Sequence, residues 1–442
     1  MKKKYFGATI CVFVILFASL PTGADFIKDK DLQKTGGNLQ NANGDPEATI
    51  IEAFEYARQT LFPLEGITGV SYTDDEPYRV IVYIESDDYR NIVPAVIKGY
   101  ETDIRVTGEI KALGMEAVYD KLDLDTNTMR LSAEDMSDVY AMVEQFKQRD
   151  IMYYLVAKKT LNDATTITGD GYVVNLTMLA SRMIQYEMKM IEQQPLKKIL
   201  LKPLPLQKYD RDGPFKIRPM FGGISISLPW YIFLGLTAGT LGIVSNKGYM
   251  LSNAHVMAMN RFCTFVWAGC AILQPGSIDG GMYFWGDLAG RLYDWGNIVF
   301  NDESWANGAD CAIARVDWLV ASYEPSKVLA QDDTNLYTVD LNDIYMPSVG
   351  GWVRKSGRTT GVTTGTVTDT HASVKVGYTA LKWAYYENQI VVSQYQFSVP
   401  GDSGSIVDYN GKWVGLLFAG TSTITIVSPA NNVLGKLMSG WR

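Results

Sequence analysis

From about Pro219 to the C-terminus the chain breaks into short runs of Gly, Thr, Ser, Val and aromatic residues. Turn residues bound every run. Gly222–Leu228, Gly239–Val244, Tyr249–Leu251, Cys311–Val316, Trp352–Lys355, Gln389–Val392, Ser405–Asp408 and Trp413–Phe418 are each strand length. None is long enough, or has the 3.6-residue apolar spacing, to form an amphipathic helix. Many short strands with little helix predict an all-β barrel or sandwich of roughly 220 residues, because only closure or sheet stacking protects so many edges. The β part divides near residue 340 into two similar lengths.

The residues before this region read differently. Pro46–Leu61 has helical spacing, Gly66–Tyr72 and Tyr78–Ile84 read as two strands around the acidic turn Asp74–Pro77, and a helix near 87–99 and a strand near 102–110 follow. This predicts a small α+β domain over 25–112. Residues 113–215 read as mostly helical. Helices are expected over Leu131–Gln148 and Val174–Gln193, the latter with a Met-rich face that serves as core. A Pro-rich linker and Asp210-Arg211-Asp212-Gly213 follow. The N-terminus carries Lys2–Lys4, an apolar run to Leu20 and small residues at Thr22–Ala24, the pattern of a secretory signal over 1–24. The expected organisation is therefore multidomain: 1–24, 25–112, 113–215, then two β-barrels over 216–340 and 341–442, with a C-terminal helix. Beyond the signal no membrane span is expected, and the product is secreted or extracytoplasmic, the alternative being anchoring at the cell surface by an uncleaved signal.

Charge and cysteine content narrow the function. The net charge is −8, and removing the three lysines of 1–24 makes it −11. Nucleic-acid binding needs a basic surface and is not expected. Cys263 and Cys270 are close enough in sequence to pair, and Cys311 is then a lone buried thiol; none has metal-ligand spacing. Asp123-Leu124-Asp125-Thr126-Asn127 with Glu134 has calcium-loop spacing, but Thr128 stands where the sharp turn needs Gly. No metal or cofactor is expected.

Only two histidines occur, His255 and His371. Pro400-Gly401-Asp402-Ser403-Gly404-Ser405 places a serine between glycines before an apolar strand. The glycines permit unusual backbone angles, and the Gly401 and Ser403 N–H groups can converge on a developing oxyanion. A serine hydroxyl needs a base. Both histidines precede it, which excludes the Ser–acid–His order of α/β-hydrolases. His255 ends a β pattern in Leu251-Ser252-Asn253-Ala254-His255-Val256. Asp310 opens the apolar strand Cys311–Ala314 and, if buried, needs a partner such as an imidazole N–H. Asp302 and Asp317 are its rivals. His371 reads as a solvated hairpin residue.

Leu251–Val256, Asp310–Ala314 and Gly401–Ser405, in that order, resemble the three signature blocks of trypsin-like (chymotrypsin-fold) serine proteases. Thr237–Gly242, Arg354–Val367 and Trp413–Leu416 extend the likeness. Gln274-Pro275-Gly276 with Asp279-Gly280-Gly281 resembles a microbial sub-group that includes the plant narrow-leaf type. The resemblance spans about residues 220–440. It implies two six-stranded antiparallel barrels, His255 as general base, Asp310 as its orienter, Ser403 as nucleophile and Gly401 with Ser403 as the oxyanion hole. It also implies a protein or peptide substrate cleaved through an acyl-enzyme. Phe397, six residues before the serine, lines the expected substrate pocket with Phe418 and Gly420. No acid stands there, so a small or apolar substrate side chain is expected. Val256 replaces the cysteine of animal members, and the Arg218-Pro219 bond makes activation through a new N-terminus doubtful, leaving Asp402 to another partner. The alternatives are a non-catalytic or zymogen-restrained binding protein on the same fold, and an ester-cleaving acyl hydrolase.

Overall fold

Ile50, Ala53, Phe54 and Ala57 recur at three- and four-residue spacing, and Pro46–Thr60 is an α-helix that buries them. They pack on Ile67, Val70, Val80, Val82 and Ile84 in one cluster. The strands Ile67–Tyr72 and Val80–Ile84 form the expected antiparallel hairpin, with Val70 opposite Val82. Tyr100–Val106 runs parallel to Val80–Ile84, placing Ile104 opposite Val82. The computed structural model describes residues 46–442 except 115–121, 124–127, 149, 170, 194–207, 215, 234–235, 262, 283–285, 320, 380 and 394. The expected signal segment lies outside them, and so does most of the calcium-like loop.

Two local expectations are corrected. Residues 87–99 hold a 3₁₀ turn, Asp87–Ile92, and the short strand Val96–Ile97 instead of an α-helix. Pro94 explains it, since proline lacks an N–H and drives the preceding residue out of helical angles. The strand expected to reach residue 110 ends at Val106, and Gly108 then takes φ +81°. That turn releases Ile110–Leu113 from the small sheet and sends it elsewhere.

Between 122 and 193 the helices are Ala133–Gln145, Ile151–Ala164 and Leu176–Gln193. Asp150 caps the middle one, accepting from Met152 N and Tyr153 N at 2.8 and 3.0 Å. Met183 is fully buried, so that position of the Met-rich helix is core. A helical reading missed four short strands: Leu122–Asp123, Thr128–Leu131, Thr165–Thr168 and Gly171–Asn175. Each is two to five residues long, too short for a period-2 pattern to register.

The C-terminal half contains two closed rings of antiparallel strands. In the first, Ile243–Val244, Tyr249–Ser252, Ala312–Val316, Leu288–Trp295 and Ala271–Leu273 are neighbours in that order. Ser227 bridges Leu273, and Ile224–Ile226 pairs with Gly239–Leu241, which continues into the first strand. In the second, Trp352–Gly357, Gly361–Gly377, Trp383–Ser393, Ile424–Pro429, Lys412–Gly420 and Ile406–Tyr409 follow one another, and the last pairs back with Trp352–Gly357. Closure by strand pairing leaves the second ring without a free edge, while the first closes through the single Ser227–Leu273 bridge. Arg211, read from sequence as linker, is 7% exposed and ties the lead-in to both halves. Its guanidinium donates to Ala330 O and Ser356 Oγ, each at 2.7 Å, and to Asp333.

The residues before the rings are hydrogen-bonded into the second one. Ile67–Tyr72 pairs with Gly361–Gly377 through Gly69 and Val70. Lys111–Ala112 pairs antiparallel with Lys412–Gly420, with Ala112 opposite Ala419 and Lys111 opposite Gly420. Cys263, Cys270 and Cys311 are buried free thiols, so the first two do not pair. No helix among the described residues is long and apolar enough to cross a membrane.

Candidate active site

Tyr249–Ser252 and Ala312–Val316 are adjacent strands, with Ser252 opposite Ala312. The turn after the first and the residue before the second therefore emerge at the same end. That register brings His255, in the short helix Ala254–Met257, onto Asp310. His255 Nδ1 is 2.7 Å from Asp310 Oδ2. Asp310 Oδ1 accepts from the Ala254 and His255 backbone N–H groups at 2.7 and 3.2 Å. Asp310 is fully buried and His255 nearly so. An aspartate with this many donors is fixed in place, and it fixes the ring.

Sequence reasoning missed Tyr378. Its hydroxyl donates to Asp310 Oδ2 at 2.6 Å, and it pairs with Tyr386 OH. Burial, reinforced by the Asp310 charge, pushes both phenols well above their ordinary pKa, so both stay neutral donors. Tyr378 lies on no local motif; only the hairpin from Gly361–Gly377 to Trp383–Ser393 carries it to Asp310. The rivals are elsewhere: Asp302 bonds Ser304, and Asp317 faces Arg291. His371 lies 3.1 Å from Asp74 and stacks on Tyr72, on the side of the barrel that receives the N-terminal hairpin.

Ser403 comes from the second ring, just before Ile406–Tyr409. Its carbonyl accepts from Thr240 N at 2.7 Å, and Thr240 Oγ1 donates to Gly401 O at 2.9 Å, so the serine loop is bonded to a strand of the first ring. Gly404 has φ +90°, and a Cβ there would sit 2.0 Å from Ser252 Oγ; Gly401 has φ +96°. These two glycines are required by both angle and space. Ser403 Oγ donates to Leu113 O at 2.7 Å and reaches Phe418 O at 3.3 Å. His255 Nε2 is 3.2 Å from the same Leu113 O. The two side chains thus converge on one carbonyl oxygen, contributed by the N-terminal part of the chain.

Asp402 has the alternative partner that the sequence left open. Lys355 Nζ lies 3.3 Å from Asp402 Oδ2, both fully buried. Asp402 also accepts from Thr359 N, Thr360 N, Thr360 Oγ1 and Val399 N. Phe397 is buried in one apolar cluster with Leu113, Val392 and Leu417. Phe418 turns its ring onto Tyr386, with centroids 4.7 Å apart, and its carbonyl faces Ser403 Oγ and Leu113 N. Gly420 pairs with Lys111 through the backbone. Among the described residues no group of three or more His, Cys, Asp or Glu side chains is placed to hold a metal ion.

No protein-family model matches the chain, and no curated protein matches it. The structure is similar to that of Thermobifida fusca Protease A, at 18% identity and a TM-score of 0.34, over 50% of this chain and 98% of that one. It is similar to Cellulomonas bogoriensis chymotrypsin at 19% identity and a TM-score of 0.34, over the same shares. A glutamic-acid-specific serine protease is similar at 19% identity and a TM-score of 0.33, over 49% of this chain and 96% of that one.

Proposed function

We propose that the chain is an exported serine endopeptidase that hydrolyses peptide bonds through an acyl-enzyme. The observation that carries this is the convergence of Ser403 Oγ and His255 Nε2 on one carbonyl oxygen, with Asp310 Oδ2 on the opposite ring nitrogen. In this reading His255 Nε2 takes the proton of Ser403 as Oγ adds to the carbonyl carbon of the substrate. Asp310 holds the ring in the tautomer that leaves Nε2 free to accept, and stabilises the imidazolium that results. The Gly401 and Ser403 N–H groups receive the oxyanion. Collapse expels the amine, which takes the proton from His255. Water then hydrolyses the ester and restores Ser403. Phe397 and the Phe418–Gly420 segment supply the pocket and the backbone edge for the substrate. Export is supported by the lysine-led apolar run before Ala24.

A fluorophosphonate probe tests the reading on the purified protein beside Ser403→Ala. Labelling that vanishes in the variant is expected. A turnover comparison of matched peptide and ester substrates then separates a peptidase from an acyl hydrolase restricted to esters. Labelling that persists in Ser403→Ala overturns the assignment of the nucleophile.

A further inference from the structure

The strand Lys111–Ala112 and the residue after it lie where a substrate of this site would lie. Ala112 and Lys111 face Ala419 and Gly420 in antiparallel register, and Leu113 N donates to Phe418 O at 3.2 Å. Backbone pairing of this kind accepts any extended chain and leaves selectivity to the side chains. Lys111 is exposed, Ala112 is buried, and Leu113 is buried in the apolar cluster that contains Phe397. Leu113 O then falls on Ser403 Oγ and His255 Nε2, so the Leu113 carbonyl stands at the position of the bond to be attacked.

The seating differs from a reactive one in a specific way. The serine hydroxyl donates its proton to the carbonyl oxygen and not to the imidazole. Among the described residues, the Gly401 and Ser403 N–H groups make no hydrogen bond to Leu113 O. A hydroxyl whose proton is committed to the acceptor oxygen is not activated for attack on the neighbouring carbon. In this seating the segment fills the site with the serine proton directed away from the imidazole.

We propose that Lys111–Leu113 is an internal substrate mimic. It blocks the site in this chain, and it reports that the site takes an extended peptide with a leucine-sized apolar side chain just before the scissile bond. This rests on the serine-peptidase reading above. An outside substrate must displace the strand and rebuild the same backbone ladder on Phe418–Gly420. Ile110 O accepts from Gly377 N at 2.9 Å, and Ile110 is buried, so the segment is held at its start as well as at its tip.

The test uses the full chain. Leu113→Asp places a charge in an apolar cluster and expels the tip; Leu113→Gly removes the side chain with no charge and serves if the first variant misfolds. The expected result is fluorophosphonate labelling of Ser403 at least tenfold faster than in the parent. The freed site is then offered acetyl-Ile-Lys-Ala-X p-nitroanilides with X as Leu, Lys, Asp or Trp, and Leu is expected to lead in kcat/KM by tenfold or more. Labelling of parent and a folded variant at equal rates overturns the restraint while leaving the peptidase reading intact. A freed site that prefers Lys, Asp or Trp overturns the mimic. No labelling of any folded form overturns the peptidase reading itself, and this inference with it.

Discussion

Lys355 and Asp402 form an ion pair inside the second barrel, with Nζ 3.3 Å from Oδ2 and neither side chain exposed. Asp402 precedes the candidate nucleophile, and its oxygens also tie down Thr359, Thr360 and Val399. The pair thus fixes the backbone that presents Ser403. Breaking a buried pair by removing one partner leaves an uncompensated charge. Lys355→Met removes the Nζ donors to Asp402, Thr360 Oγ1 and Gly361 O as well as the charge, so it should cost about 3–5 kcal/mol in urea unfolding. Adding Asp402→Asn should recover part of that loss, and a double variant worse than the sum of the single ones would contradict this account.

The same lysine sets an alkaline limit. Burial pushes its ammonium down to about 8, with Asp402 opposing the shift. The folded-state value lies below the unfolded one. Between about pH 8 and the ordinary lysine value the unfolded chain binds more protons, so this group's linkage favours folding as pH rises and that gain is lost as pH falls through 8. In the folded chain the charge that holds Asp402 disappears as pH rises through about 8. Hydrolysis should decline above about pH 8 while urea stability does not fall in step. Parallel pH profiles of rate and stability would argue against Lys355 as the cause.

Residues that act as a unit are not additive. Ser403→Ala and His255→Ala should each remove nearly all peptidase activity, and the double variant should be hardly worse. Asp310→Asn should cost on the order of 10⁴ in turnover, because the ring would be held in the wrong tautomer. Steady-state kinetics on a peptide substrate decide this, and near-normal turnover by either single alanine variant would end the assignment.

Tyr378 donates to the Asp310 oxygen that also faces His255. A hydrogen bond to a charged group is worth about 1.5–3 kcal/mol. Tyr378→Phe keeps the ring and removes the bond, so kcat should fall about tenfold or more with KM unchanged. A rise in KM with kcat preserved would show instead that the hydroxyl serves substrate binding.

Glu187 on the Met-rich helix is buried between Tyr153 OH at 2.7 Å and Tyr231 OH at 2.5 Å. Burial raises its pKa to about 7, against the pull of the two phenol bonds. A raised folded-state value gives stability that is complete below the unfolded carboxyl value and is lost as pH rises through 7. The loss is roughly 3 kcal/mol. Glu187→Gln should remove this dependence, so its stability relative to the parent should rise by about that amount between pH 4 and pH 8. A difference that stays constant across that range would show that Glu187 does not titrate there.

The sequence by itself determined the β-rich C-terminal half, because glycine and β-branched runs cut by turns admit no other regular structure. It also singled out His255, Asp310 and Ser403, since two histidines and one serine between glycines leave few choices. Their roles rest on the proposal above. Local pattern failed where Pro94 broke a helical spacing and where strands of two to five residues were too short to show a period. Tertiary structure alone decided the rest. Tyr378 reaches Asp310 across 68 positions, Lys355 reaches Asp402 across 47, and Leu113 reaches Ser403 across 290. Such contacts are set by strand register and ring closure, which depend on every pairing in the sheet at once. No window of sequence around Leu113 carries that information, yet the position of its carbonyl governs how the candidate site is read.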